Sequence, residues 1–115
     1  MKKRDFLLLF KSRVDGKDIL KNENLEAIAH KVTNVKEYVD GKATDNIIGQ
    51  YIHILSPDDE EEGLKIKVLG ESKLTNEMIH EKGGAMKVRF VGLVGTYYRK
   101  NNDWALACSA KEVIL

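Results

Sequence analysis

The stretch VRFVGLVGTYYRKNNDWALACSA, residues 88–110, contains two apolar segments separated by the polar turn RKNND. Segments of this length, rich in valine and tyrosine, predict two strands joined in a hairpin. Gly92 and Gly95 lie inside the first of them, where a missing side chain lets a strand bend around a small closed sheet. This stretch therefore indicates a β-sheet protein whose last two strands form a hairpin.

Three further strands and one helix are predicted before this hairpin. The segments 28–39, 46–57 and 64–70 are alternating or β-branched, and the turn DGK follows the first of them. The segment LTNEMIHEKGG, residues 74–84, contains helix formers, with Thr75 or Asn76 as the N-cap and two glycines at its end. The last two strands are predicted over 85–98 and 104–115.

The order strand, strand, strand, helix, strand, strand matches the five-stranded OB barrel. We therefore expect an all-β fold with one short helix, a β-β-β-α-β-β OB-fold-like barrel over residues 28–115. An SH3-type barrel is the alternative, although it usually has shorter strands and lacks the helix. Residues 1–27 form a predicted N-terminal extension. It is either an added strand that covers a sheet edge or an interface with another copy of the chain, and in the second case the protein is a homo-oligomer.

Composition indicates one globular domain. The chain has 115 residues, 43% of them hydrophobic and 32% charged, with a formal net charge of +1, a profile typical of one soluble domain. No apolar segment is long enough to predict a membrane span, so a cytoplasmic location without membrane contact is the default expectation. Cys108 is the single cysteine, which excludes an intramolecular disulfide and favours a buried structural thiol.

The chain lacks the motifs of the common catalytic sites. His30, His53 and His80 are widely separated in sequence and show no ligand spacing with Cys108 or a carboxylate, so no metal site is predicted. The sequence has neither a Walker loop nor a nucleophile elbow. We therefore expect no enzymatic activity and no cofactor.

Charge is unevenly placed along the chain. Residues 43–63 contain six acidic and no basic residues, whereas 1–42 and 64–115 carry a basic excess. The ordinary interpretation of an acidic run is a solvated loop, and the functional alternative is a surface that docks on a basic partner. The run that would form this docking surface is Asp58, Asp59, Glu60, Glu61 and Glu62.

Aromatic and basic residues are predicted to gather where an OB barrel binds its ligands. If the fourth strand alternates, Arg89, Tyr97 and Arg99 point outward. The turn after it and a loop over residues 39–46 would flank the groove that holds single-stranded nucleic acid or sugar. The alternative for each tyrosine is cross-strand packing with its hydroxyl in water. The predicted nucleic-acid-binding residues are Lys36, Tyr38, Lys42, Tyr51, Lys65, Lys67, Arg89, Tyr97, Arg99 and Lys100.

The segments KVTNVKEYVDGKATDNIIGQYIHIL (residues 31–55), LKIKVLG (64–70) and VRFVGLVGTYYRKNNDWALACSAKEVIL (88–115) carry a family resemblance. The chain resembles small proteins encoded by Gram-positive integrative conjugative elements and related plasmids, among them helicase-processivity accessory proteins. The resemblance implies an OB-like protein without catalysis that supports unwinding and replication of the mobile element, with a relaxase and a superfamily-1 helicase as partners. It implies no role for any individual residue.

Three functions stay open at this point. The first is a non-catalytic accessory protein of a mobile genetic element that contacts single-stranded DNA, a helicase or both during conjugative transfer or replication. The alternative is a protein–protein interaction module that docks a basic partner through the acidic loop 58–62 and binds no nucleic acid. The third is a barrel that binds carbohydrate or a small molecule, which the lack of any tryptophan besides Trp104 disfavours.

Overall fold

A computed structural model describes residues 13–55, 64–70, 73–101 and 103–115. Within these residues the fold is mostly β, as expected, and a second short helix precedes the first long strand. The elements are β1 (Arg13–Asp15), α1 (Gly16–Leu20), β2 (Glu26–Val39), β3 (Lys42–Ile54), β4 (Lys65–Leu69), α2 (Asn76–Glu81), β5 (Met86–Val91), β6 (Val94–Lys100), β7 (Asp103–Ala110) and β8 (Glu112–Ile114). In this described part of the chain, no helix has the length and apolar character needed to cross a membrane.

The described strands form one sheet in the order β1-β6-β7-β4-β3-β2-β5-β8. Only β4 and β7 are parallel neighbours within it. Residues 92 and 93 interrupt one long strand and divide it into β5 and β6. Val94 of β6 faces Ser109 of β7, and Val91 of β5 faces Glu112 of β8. Both pairs therefore have the same register. The four strands are thus two parts of one interrupted hairpin. In the strand order, the β6–β7 pair is next to β4 and the β5–β8 pair is next to β2.

The β2–β3 hairpin ends in a tight turn. Val39 faces Lys42, which leaves two residues between the strands. Asp40 and Gly41 have φ angles of 52° and 79°, and a type I′ turn requires positive φ at both of these positions. The predicted loop over residues 39–46 is therefore wrong, because the Asp-Gly pair reverses the chain in two residues and β3 begins at once.

The residues that face the core change from even-numbered to odd-numbered positions between β5 and β6. Val88 and Phe90 are buried, as expected, but beyond the break Leu93 and Tyr97 are buried as well. The interval from Phe90 to Leu93 is odd, and Gly92 between them has a φ of 67° that interrupts the strand. The prediction that Tyr97 points outward is therefore wrong, since only 8% of its surface is exposed.

Residues 14–25, the described residues just before β2, contribute side chains to the hydrophobic core. β1 pairs with β6 at one edge of the described sheet, so the added edge strand is present. Ile19 and Leu20 of α1 are each 4% exposed. A Cβ atom on Gly95 of β6 would lie 2.8 Å from Ile19 Cδ1, so α1 approaches β6 closely because that residue is glycine. The division of the chain at residue 27 stays a prediction.

Side-chain amides attach helix α2 to the sheet. Thr75 is the N-cap, as one of the two predicted candidates, and its hydroxyl accepts a hydrogen bond from the backbone N–H three residues later. Asn76 donates to the Val32 carbonyl at 3.0 Å and accepts from the Val32 N–H at 2.8 Å. Gln50, only 2% exposed, donates to the Leu74 carbonyl at 2.8 Å and accepts from the Leu74 N–H at 3.4 Å. These bonds hold α2 against β2 and β3.

Candidate nucleic-acid interface

Tyr51 of β3 lies among basic side chains on the outer face of the sheet. It faces Thr33 of β2 and Lys67 of β4. The Lys65 Nζ lies 4.2 Å from the centroid of the Tyr51 ring, and the Lys67 Nζ lies 5.7 Å from it, both within the range of a cation–π contact. Three of the predicted binding residues are therefore neighbours in the structure.

Alternation along β3 and β4 separates this surface from the core. Ile52 and Ile66 are fully buried at 0% exposure, whereas Tyr51 and Lys67 are half-buried and Lys65 is exposed. Successive side chains of a strand point to opposite faces, so the ring and both ammonium groups lie on the face away from the core.

His53 lies two residues after Tyr51 on β3 and therefore on the same face of the sheet. It faces Lys31 of β2 and Lys65 of β4. Its Nε2 is 2.9 Å from Thr33 Oγ1, and its ring centroid is 6.3 Å from that of His30. Burial lowers the pKa of His53, and the positive charges of Lys31 and Lys65, followed by His30, lower that pKa further. Lys31 and Lys65 therefore place positive charge beside this histidine.

These residues define one continuous surface, which we call the Tyr51 patch. Its members share the outer face of three adjacent strands and include four basic or titratable side chains besides the ring and one hydroxyl. They are Lys31, Thr33, Tyr51, His53, Lys65 and Lys67.

Lys36, Tyr38 and Lys42 lie at the far end of the β2–β3 hairpin. Tyr38 is 69% exposed and faces Ala43. It is five residues beyond Thr33, which corresponds to about 17 Å along a strand. The structure therefore places these three predicted residues together at the hairpin end and apart from the Tyr51 patch.

Arg89 and Arg99 are exposed on other parts of the sheet. Arg89 of β5 faces Glu26 of β2, and β2 separates it from β3 in the strand order. Arg99 lies near the end of β6, where it faces Trp104 of β7. The ring of Tyr97 is buried, so its faces are not placed for the stacking that the sequence predicted.

Some predicted residues lie outside the part of the chain that the structure describes. They are the side chain of Lys100 and the acidic residues Asp58, Asp59, Glu60, Glu61 and Glu62. Docking of a basic partner on the acidic run therefore stays a prediction. Across the described ranges, no three His, Cys, Asp or Glu side chains are grouped in a way that could hold a metal ion.

Three residues of the Tyr51 patch were not predicted: Lys31, Thr33 and His53. The two-residue spacing of Tyr51 and His53 puts both on one face of a strand, so that spacing was a usable signal for His53. Lys31 and Thr33 depend on the β2–β3 register, which shifts by one residue between Ala29 and Lys31. Such a bulge cannot be read from alternation in one strand.

Comparisons with protein-family models, with curated proteins and with solved structures found no match to this chain. The likeness to accessory proteins of conjugative elements stays a prediction from the sequence.

Proposed function

We propose that this protein is a non-catalytic binding module that holds single-stranded DNA on the Tyr51 patch. The observation that carries the proposal is the Tyr51 ring with the Lys65 and Lys67 ammonium groups 4.2 and 5.7 Å from its centroid. A flat ring beside cations suits a stacked base and its phosphates, and stacking tolerates any base sequence. The positive charges of Lys31 and Lys65 beside His53 would attract the phosphates of the same strand.

Magnitudes favour exchange of a lysine for a base on the ring. An exposed cation–π contact contributes about 0.5–1 kcal/mol, whereas a base stacked on an aromatic side chain contributes about 1–3 kcal/mol. A base that displaces Lys65 from Tyr51 therefore gains more than the lysine loses. The displaced ammonium group is then able to contact a phosphate.

An OB-fold-like barrel is part of the same proposal. The pairings run from β2 through β3 and β4 to β7 and then to β6. From β6 the chain connects backward through Gly92 to β5, which pairs with β2 again. An interrupted strand that leads a five-stranded sheet back to its first strand fits an OB barrel, whose second and third strands bind oligonucleotides. In this chain those two strands would be β3 and β4, which carry Tyr51, Lys65 and Lys67.

The resemblance to proteins of conjugative elements supplies the proposed setting. In that setting the module would hold single-stranded DNA of a mobile genetic element, during transfer or replication, next to a helicase or relaxase. The net charge of +1 fits a local contact better than extensive phosphate neutralisation, which usually requires a basic domain.

A second candidate function is protein docking through the acidic run 58–62. Residues 43–63 have six acidic residues and no basic one, so this segment would attract a basic partner surface. A separate surface at the hairpin end also suits a protein contact, because Tyr38, Val39 and Ile47 are 69%, 51% and 48% exposed.

Binding of a labelled thymine oligonucleotide of about 20 bases, followed by fluorescence anisotropy at roughly 50 and 200 mM salt, tests the proposal. We expect saturable binding that weakens with salt. Replacing Lys65 and Lys67 by Gln should reduce the slope of log affinity against log salt by about 1.4, because each phosphate contact on a single strand contributes about 0.7. Lys82→Gln, on the exposed end of α2, is the matched control and should leave the slope unchanged.

Absence of binding at both salt concentrations would overturn the DNA-binding proposal. Replacement of residues 58–62 by Ser and Gly would then be the test of the docking function. Loss of partner capture in that variant, with unchanged folding, would support protein docking.

A further inference from the structure

A groove adjoins the Tyr51 patch on the outer face of the sheet. Its volume is about 470 Å³. It crosses β4, β7, β6 and β1, and among the described residues that line it none is acidic. The lining side chains used below are Arg13, Lys67, Leu69, Val94, Ser109 and Lys111.

Lys67 belongs to both the groove and the Tyr51 patch. It faces Tyr51 on β3 to one side and Ser109 on β7 to the other. Ser109 in turn faces Val94 of β6. Because directly paired residues share a face of the sheet, Tyr51, Lys67, Ser109 and Val94 form one continuous row that leads from the ring into the groove.

Local backbone geometry positions Lys111 at the groove. The Lys111 N–H donates to the Val91 carbonyl at 2.8 Å. A Cβ atom on Gly92 would lie 2.9 Å from both Cγ and Cδ of Lys111, so the lysine stem lies against this glycine. Gly92 has a φ of 67°, a conformation that glycine adopts without strain. The break between β5 and β6 thus creates the place where the Lys111 side chain packs.

Arg13 comes from the segment that precedes the predicted barrel. It lies on β1, faces Thr96 of β6 and is exposed. Together with Lys67 and Lys111 it surrounds a groove that also offers the Ser109 hydroxyl and the apolar side chains of Leu69 and Val94. Cations, a hydroxyl and apolar surface suit the phosphates and sugars of a nucleic-acid strand.

We infer that a single strand whose base stacks on Tyr51 continues through this groove, where Arg13 and Lys111 contact its phosphates and Lys67 links the two parts. This inference rests on the proposed function. From β3 to β1 the path crosses four strand intervals, or about 19 Å at roughly 4.8 Å each. That length matches a short single-strand footprint of about four nucleotides, at the lower end of the OB-fold range.

The test is oligonucleotide binding by a variant in which Arg13 and Lys111 are both replaced by Gln, which keeps a polar stem without the charge. The probe is a labelled thymine oligonucleotide of about 12 bases, titrated at roughly 50 to 200 mM salt. We expect a loss of affinity of about tenfold or more at the lowest salt and a salt slope smaller by about 1.4. Thermal unfolding of each variant checks that it is folded.

Asp15→Asn is the matched control, because Asp15 lies on the same short strand as Arg13 and carries the opposite charge. Loss of an acidic group should leave affinity unchanged or raise it, whereas a general disturbance of β1 would lower it. Equal losses in Asp15→Asn and the double Gln variant would therefore overturn the assignment of Arg13.

The outcomes separate this inference from the function on which it rests. If Tyr51→Ala weakens binding while the double Gln variant binds like the wild type, the strand does not follow the groove and the inference is overturned, with the proposed function intact. If the wild-type protein binds no oligonucleotide, the proposed function itself is overturned. Weaker binding and a smaller salt slope in the double Gln variant support the groove.

Discussion

The Lys65 ammonium nitrogen lies 4.2 Å from the centroid of the Tyr51 ring on the neighbouring strand. Tyr51 is half-buried rather than fully exposed, so its ring is held against the sheet while part of its surface reaches solvent. A ring fixed in this way loses little conformational freedom when a base stacks on it. The Tyr51–Lys65 pair is therefore the feature on which DNA binding should depend most strongly.

Replacing Tyr51 by Ala should weaken oligonucleotide binding by about 5- to 150-fold, because one stacked base contributes about 1–3 kcal/mol. Tyr51→Phe keeps the ring and should bind within about threefold of the wild type, since stacking requires no hydroxyl group. Fluorescence anisotropy at a single low salt concentration measures both. Equal affinities for Tyr51→Ala and Tyr51→Phe would contradict a stacking role.

The pH dependence of stability should carry a contribution from His53. Its pKa is lowered in the folded protein from the ordinary value of 6.5, so as the pH falls the unfolded chain binds the proton first. The stabilising contribution of the neutral imidazole is fully present above about pH 6.5, the ordinary pKa of histidine. It is lost as the pH falls from 6.5 toward the lower pKa of His53 in the folded protein. Urea unfolding at about pH 7.5 and 5.5 should show a larger loss of stability for the wild type than for His53→Gln. The same loss in both proteins would refute this assignment.

Bound nucleic acid should raise the pKa of His53. Lys31 and Lys65 lower that pKa through their positive charges, and phosphates held by these lysines would offset them. By linkage, oligonucleotide binding should tighten as the pH falls through the titration range of His53. NMR titration of the His53 ring protons with and without a thymine oligonucleotide measures the shift. The ring protons of His80 on α2, observed in the same spectra, serve as the control. An unchanged or lower pKa in the complex would place the DNA elsewhere.

The buried amide of Gln50 should contribute to stability through helix α2. Gln50→Met keeps the volume but leaves the Leu74 carbonyl and N–H without their side-chain partner, at a cost of about 1–3 kcal/mol. Asn46→Ala removes an exposed 3.3 Å hydrogen bond to Glu37 and should cost less than about 0.5 kcal/mol. Urea unfolding compares the two. A Gln50→Met variant as stable as Asn46→Ala would show that the Leu74 bonds matter little.

Gly49 should tolerate alanine less well than Gly95. A Cβ atom on Gly49 would lie 2.5 Å from the Val68 carbonyl oxygen and 2.8 Å from Leu69 Cα, and these backbone atoms can move only if β3 and β4 separate. At Gly95 the nearest atoms are ends of flexible side chains, with Ile19 Cδ1 at 2.8 Å. We expect Gly49→Ala to cost about 2 kcal/mol or more and Gly95→Ala about 1–2 kcal/mol. Thermal unfolding that ranks the two in the opposite order would contradict the observed β3–β4 packing.

Local patterns predicted much of the secondary structure because each depends on neighbouring residues. The alternation of residues 64–70 and the Thr75 cap correspond to observed elements. The predicted turn over residues 99–103 is too long, because Arg99 and Lys100 belong to β6 and Asp103 begins β7. The Asp40–Gly41 turn was placed correctly, but its type I′ geometry made the hairpin tighter than the loop predicted there.

Features that depend on register or on distant segments were not predictable in the same way. The odd interval at Gly92 reversed the orientation of Tyr97, because one extra residue moves every following side chain to the other face. Arg13 and Lys111 are far apart in sequence and line the same groove because β1 pairs with β6 and β6 pairs with β7. Of the predicted binding residues, Tyr51, Lys65 and Lys67 are adjacent because they lie on the directly paired strands β3 and β4.

Nuclear magnetic resonance of the ¹⁵N-labelled protein, titrated with a thymine oligonucleotide of about 12 bases, tests DNA binding by the Tyr51 patch most directly. The prediction is that the amide resonances of Lys31, Tyr51, His53, Lys65 and Lys67 shift together in a saturable manner, while those of α2 stay in place. Shifts confined to the hairpin end around Tyr38, or no shifts at any resonance, would contradict it.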